Sequence, residues 1–351
     1  MVDRVATNVT DVTPAKHSRG RVRRPTAADV AARAGVSRAT VSYVLNDTPH
    51  QAIPDRTRER VRAAAAELGY TPSAAARALI TGRSDVILLL LPDWPIGSTV
   101  GHLLESLSDA LGQQGFTFVA HPRSAGRPTT DVWKAITPAA VITFEELEQV
   151  EAERLRAAGI ELSVALLGDA GPAARAMDIP EQRTGRLQAE HLAASGHRQL
   201  GYAWPDDPRV VTFAQPRLDG VRQACAELGL DPPTVVPVPL TPDGVQRALE
   251  VFHGADGPPV SAVCAYNDEV ALALLAGARR QGLDVPGDLA VIGVDDIPSA
   301  AVSVPALTTV RAETAVLARF IADSIIRQLD GRPAAERPGS DIHSIIRRES
   351  A

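Results

Sequence analysis

The texture of this chain changes once, near residue 85, and that change constrains the fold more than any other feature. Beyond it, short apolar runs alternate with stretches of helical period: VILLLLP from Val86, a helix over 100–112, strands over 116–120 and 139–143, and a helix over 147–158. The rhythm resumes with a helix through Ala194, GHRQLGYAW, a helix over 218–228, TVVPVPL, a helix over 245–252, AVCAY, a helix over 269–281, and LAVIGVDD. Brief, continuously apolar strands are those of a parallel sheet covered on both faces. The pattern predicts an α/β body of two lobes, each a parallel sheet wrapped by helices.

Before residue 85 the signals are helical. Residues 1–24 lack hydrophobic period and close with Arg19, Arg21, Arg23 and Arg24, which reads as a disordered basic arm. Thr26 caps a first helix with Asp29 three residues on, and Gly35 ends it. Ser37 caps a second helix running to Leu45. A third covers 55–68, with Val61, Ala64, Ala65 and Leu68 on one face, and stops at Gly69. A fourth pattern over 72–80, with Pro72 at its first position, is too short to stand alone. These boundaries predict an arm (1–24), an all-α domain (25–71), a short helix and linker (72–84) and the α/β body (85–351).

Charge follows the same division. Residues 1–84 hold 14 Lys and Arg against 7 Asp and Glu, while the rest hold 22 against 35, giving the net −6 of the whole. A basic head on an acidic body suits a polyanion partner, because Arg and Lys displace condensed counterions from phosphates; a solvated charged tail has the same signature. No apolar run approaches the length of a membrane span. The first twenty residues lack the apolar core of a secretion signal, so the expected location is cytoplasmic. Cys225 and Cys264, 39 positions apart in apolar surroundings, read as reduced buried thiols. No glycine-rich phosphate-binding fingerprint occurs, Ser37 of GVSRA lacks the strand that precedes a nucleophile elbow, and His191 and His197 are not at metal-ligand spacing. An enzyme is therefore not expected, and no catalytic residue, cofactor or metal is assigned. A transporter's solute-binding protein would share the two-lobed body, but not the basic helical head.

The segment AADVAARAGVSRATVSYVLN has the spacing of a helix-turn-helix. Val30 and Ala31 of its first helix and Val41 and Val44 of its second form a shared core, and Gly35 permits the reversal. Ser37, Arg38, Ala39, Thr40, Ser42, Tyr43 and Asn46 are left facing outward, mostly small hydrogen-bonding groups suited to a groove. An ordinary helical hairpin shares this pattern.

Residues 26–84 nonetheless resemble the DNA-binding head of the lactose-repressor (LacI/GalR) family, through GVSRATVSYVLN, RTRERVRAAAAELGYTPSAAARAL and TGRS. Further landmarks of that family follow in order: EHLAASGHRQLGY, RLDGVRQACAELGL, YNDEVALALLAGARRQGLDVPGDLAVIGVDD, PALTTVR and IIRRESA. The resemblance implies that Arg38, Ala39 and Tyr43 read base edges in the major groove. Ser37, Thr40, Ser42 and Asn46 take positions of backbone and phosphate contacts, and Thr26 is counted among the DNA-facing residues. Tyr43 stands where many members have Arg, so the target sequence is not transferable. The 72–84 segment corresponds to the family's hinge, with Leu79 as the wedge that kinks the minor groove.

The same resemblance implies an effector bound between two lobes of periplasmic-binding-protein type, about 85–180 with 314–340, and about 181–313 with 341–351. Arg217, Asn267 and Asp295 hold effector-contacting positions, and Trp94 offers a stacking surface. PDWPIGS replaces the usual segment beside the pocket, Thr314 replaces an aromatic platform of some sugar-responsive members, and a shortened 123–140 suggests a trimmed peripheral helix. The implied protein is a repressor acting as a homodimer on a pseudo-palindromic double-stranded operator, under control of a small-molecule effector such as a sugar, with no membrane partner. No leucine heptad follows Arg348, which predicts a dimer over a tetramer.

Overall fold

The computed structural model describes residues 25–46, 52–70, 84–123, 130–144, 147–166, 176–178, 181–254, 259–333, 335 and 342–351. Contacts divide the chain into two units, Met1–Arg83 and Ser84–Ala351.

In the first unit, α1 (Ala27–Ala34), α2 (Arg38–Leu45) and α3 (Asp55–Leu68) surround one small core. Thr26 starts α1 with a reciprocal capping box: its hydroxyl accepts from the Asp29 N–H, and the Asp29 carboxylate accepts from the Thr26 N–H at 2.8 Å. Gly35 ends the helix at φ 65°, a left-handed turn that an L side chain resists. Val30, Val41, Val44 and Val61 are at most 1% exposed, each contributing about 1.5–3 kcal/mol by burial. The helix expected over 72–80, with Leu79, falls outside the described residues.

The second unit holds two sheets. The first, ordered β2-β1-β3-β4-β5, is parallel throughout: β1 (Val86–Leu91), β2 (Thr117–Pro122), β3 (Ala140–Thr143), β4 (Glu161–Leu166) and β5 (Ala176–Asp178). Strand period explains the run VILLLL. Ile87, Leu89 and Leu91 pack on α4 (Ser98–Gln113) and α12 (Thr314–Leu329), whereas Leu88 and Leu90 face α5 (Thr130–Ile136) and α6 (Gln149–Ala157).

The second sheet is ordered β11-β10-β9-β8-β6-β7, with β6 (Leu200–Pro205), β7 (Thr234–Val238), β8 (Ala262–Ala265), β9 (Ala290–Val294) and β10 (Thr308–Ala312) parallel. β11 (His343–Ile346) closes the edge antiparallel to β10. One face carries α9 (Pro242–Phe252) and α10 (Asp268–Gln281), the other α7 (Glu181–Ala194) and α8 (Val211–Glu227); α11 (Pro298–Val302) follows β9. Cys225 and Cys264 are free and buried.

Helices α7 and α8 touch backbone to backbone. A Cβ on Gly185 would lie 1.8 Å from the Arg217 carbonyl oxygen, and one on Gly220 1.9 Å from that of Gln182. Only glycine fits at either point, and the contact fixes where Arg217 starts relative to α7.

Several elements depart from the sequence-based reading. α8 begins at Val211, seven residues before the expected start at 218, because Pro216 sits inside it and reads as a breaker. The peripheral helix, expected to be trimmed, is the seven-residue α5, anchored by buried Trp133. Strands β4 and β5 were not anticipated, since neither segment has the unbroken apolar run of β1.

Candidate functional site

The first unit presents one outward face on α2. At roughly 100° per residue, Arg38, Ala39, Ser42, Tyr43 and Asn46 fall within one half of the helix surface, opposite buried Val41 and Val44. Arg38, Ala39 and Tyr43 are exposed. Ser37 caps α2: its Oγ accepts from the Thr40 N–H at 3.1 Å and lies 2.9 Å from Thr40 Oγ1. Asn46 donates to Ser42 Oγ at 3.1 Å. The hydroxyl pair and the amide are thus held in place beside the three exposed side chains. Thr26 is exposed, but its side chain serves the α1 cap.

In the second unit a cavity of about 550 Å³ opens between the two sheets. Its walls come from segments after the carboxyl ends of parallel strands: Trp94 after β1, Phe144 after β3, Asp207 after β6, Leu240 after β7, Asn267 after β8 and Asp295 after β9. Ligands of open α/β sheets bind at such ends.

Arg217 organises the floor. It is 5% exposed; its Nε donates to Glu181 Oε2 at 2.6 Å, its Nη1 to the Tyr266 carbonyl at 2.8 Å, and its Nη2 stands 3.9 Å from Asp295 Oδ1. The Phe213 and Tyr266 rings flank the guanidinium at 6.0 and 5.1 Å. Burial opposes its charge, but the Glu181 and Asp295 carboxylates outweigh that and hold it firmly protonated. Burial pushes the Asp295 carboxyl up to about 6 against the pull of Arg217.

The turn after β9 aims Asp295. Asp295 and Asp296 adopt φ of 112° and 53°, conformations that cost non-glycine residues about 1–3 kcal/mol each. Four hydrogen bonds hold the turn. The Asp295 N–H donates to the Val310 carbonyl at 2.8 Å, Asp296 accepts from Arg348 at 2.6 Å, and buried Asp268 accepts from the Ile297 N–H at 2.9 Å and the Thr309 hydroxyl at 2.6 Å. Burial pushes the Asp268 carboxyl up to about 7. Asn267 lines the cavity while its Oδ1 caps α10 by accepting from the Val270 N–H at 3.0 Å, which leaves the amide nitrogen as donor.

Trp94 packs edge-on to Phe213 at 4.6 Å and tilted on Phe144 at 5.1 Å, forming an aromatic wall, and Thr314 adds a hydroxyl nearby. One ion pair spans the cleft: Arg209 approaches Asp93 at 3.7 Å. The structure therefore gathers Trp94, Arg217, Asn267 and Asp295 around one cavity. Sequence reasoning missed Glu181, Phe144, Phe213 and Tyr266. Phe213 precedes Arg217 by one helical turn, a spacing that lies before the helix start expected at 218; Tyr266 adjoins Asn267 in YNDE; Glu181 and Phe144 carry no local signal.

Residues 26–73 match the model described as "Bacterial regulatory proteins, lacI family", and residues 189–351 the "Periplasmic binding protein-like domain". The HTH-type transcriptional regulator MalR of Streptomyces coelicolor is 32% identical over 324 residues, covering 88% of this chain and 91% of its own. Among solved structures, the lac repressor dimer bound to operator and the anti-inducer ONPF superposes with a TM-score of 0.76 at 24% identity, covering 93% of this chain and 99% of that one, a likeness of fold. The CelR–cellobiose complex aligns with a TM-score of 0.62 at 26% identity, covering 93% and 100%. With a helix-turn-helix head, a two-sheet ligand-binding body and these relatives along nearly its whole length, the chain belongs to the LacI family of DNA-binding transcriptional regulators.

Proposed function

We propose that this regulator is a cytoplasmic, non-enzymatic repressor that binds a pseudo-palindromic double-stranded operator as a homodimer and responds to a small polyhydroxylated effector held between its lobes. The observation that carries the reading is the buried Arg217–Glu181–Asp295 set on the floor of a large, aromatic-walled cavity, in a chain that also bears a helix-turn-helix. In this reading residues 25–71 form the DNA-binding domain and 72–84 the hinge, with Leu79 as its wedge. The lobes comprise about 85–180 with 314–340 and about 181–313 with 341–351.

Arg38, Ala39 and Tyr43 face base edges, while Thr26, Ser37, Thr40, Ser42 and Asn46 serve the backbone contacts. Arg217, Asn267 and Asp295 bind the effector against Trp94. A ligand there competes with or reinforces the Arg209–Asp93 contact across the cleft, and so shifts the balance between open and closed lobes.

The test is fluorescence anisotropy on fragments selected from genomic DNA, repeated with a panel of sugars. Expected are a fragment bound at least ~10³-fold above random duplex and a sugar that changes that affinity. Uniform affinity across fragments, or turnover of a sugar by the purified protein, would overturn the reading.

A further inference from the structure

The cavity already satisfies its buried guanidinium internally. Arg217 spends Nε on Glu181 and Nη1 on the Tyr266 carbonyl, and Asp295 adds a second carboxylate beside the same group. Arg209, the other guanidinium on the wall, forks onto Asp207 at 2.6–3.1 Å. Against these two stand six carboxylates on the lining: Glu181, Asp206, Asp207, Glu269, Asp295 and Glu313. His343, even when protonated, leaves the balance negative.

Geometry adds a finer criterion. Arg217 Nη2 and Asp295 Oδ1 are 3.9 Å apart, too far for a hydrogen bond to each other and suited to an oxygen lying between them. A hydroxyl there accepts from the guanidinium and donates to the carboxylate. A carboxylate or phosphate oxygen accepts only, and meets Asp295 as a like charge. Trp94, Phe144 and Phe213 supply an apolar wall of mutually inclined rings against which the C–H groups of a sugar can pack.

We infer that this cavity selects uncharged or amine-bearing polyhydroxylated ligands and rejects sugar acids and sugar phosphates. The inference rests on the cleft being the effector site and adds the charge class of its occupant.

The experiment uses the full chain at pH 7.5 and a panel of mono- and disaccharides, each set comprising a neutral sugar, its amino analogue, its uronic acid and its phosphate ester. Thermal shift finds the binding sets and calorimetry measures them. Within a binding set, the neutral or amino member should bind at least tenfold more tightly than either anionic one. In Asp295→Asn, and in Glu269→Gln at the exposed rim, the ratio of anionic to neutral affinity should rise. An anion bound as tightly as its neutral parent overturns the inference, and if its binding disappears in the folded pair Glu181→Gln, Arg217→Met the cleft still stands as the effector site. An unchanged ratio in both variants overturns the charge origin of selectivity. No binding by any set removes the effector reading and this inference together.

Discussion

Arg217 carries two duties, and the way they are coupled decides what a mutation reports. Its guanidinium neutralises Glu181 in a setting where both side chains are about nine-tenths buried. Arg217→Ala therefore leaves an uncompensated buried carboxylate, a loss of about 3–5 kcal/mol, so loss of effector response in that variant confounds folding with recognition. The paired change Glu181→Gln with Arg217→Met removes both charges at similar volume. It should recover most of the melting temperature while effector binding stays absent, and calorimetry alongside a thermal melt checks both halves. Asp268 supplies a second prediction at this scale. Its folded-state carboxyl is raised from 3.8 to about 7, and that of Asp295 to about 6. A raised carboxyl binds its proton more tightly folded than unfolded, so stability is withheld above the folded value and returns as pH falls toward the unfolded one. Between pH 8 and pH 6 these two carboxylates should contribute roughly 1–2 kcal/mol, about 3–6 °C in Tm, opposed by His191 and His197, whose protonated forms burial disfavours. Asp268→Asn should remove most of the carboxylate contribution, so the difference in Tm between parent and variant should change over this interval; a constant difference contradicts the assignment.

The α7–α8 pair is the element on which the site depends most directly. Because a Gly185 Cβ would fall 1.8 Å from the Arg217 backbone oxygen, Gly185→Ala must part the helices, at a cost of about 1–3 kcal/mol or more, and displace Arg217 from Glu181. Effector affinity should drop far more than operator affinity in the variant that folds; equal losses would show that the contact is scaffold only. This same region marks how far local sequence signals reach. Caps and periods made α1, α2 and α3 legible, because Thr26, Ser37, Gly35 and Gly69 act through their immediate neighbours. Strand β1 was legible because both of its faces are covered. The start of α8 was not, since tertiary packing holds a helix through Pro216 that propensity alone would end. Glu181 is 36 positions from Arg217, and nothing within one helical turn of either residue announces their pairing.

For the whole molecule, the division of charge governs how it meets DNA. Fourteen bases against seven acids in residues 1–84, set against an acidic remainder, predict operator affinity that falls steeply with salt, by ~10³–10⁵ between 50 and 200 mM if 6–10 phosphates are contacted. A flat salt response in anisotropy titrations would sink the phosphate-dominated picture. Control by an effector adds a stricter requirement. A ligand in the cleft changes operator binding only through its unequal affinity for the forms that grip and release DNA. Coupling of ~1–3 kcal/mol would change operator affinity ~5- to 150-fold, and linkage then obliges saturating operator to change effector affinity by the same factor. Calorimetric titration of the sugar that scores in the panel, with and without operator duplex, measures one leg, and anisotropy with and without that sugar measures the other. The two factors should agree within error, and in the Glu181→Gln, Arg217→Met pair both should collapse to one while operator binding persists. Coupling that survives in the paired variant would place the effector somewhere other than the floor built by Arg217, Glu181 and Asp295.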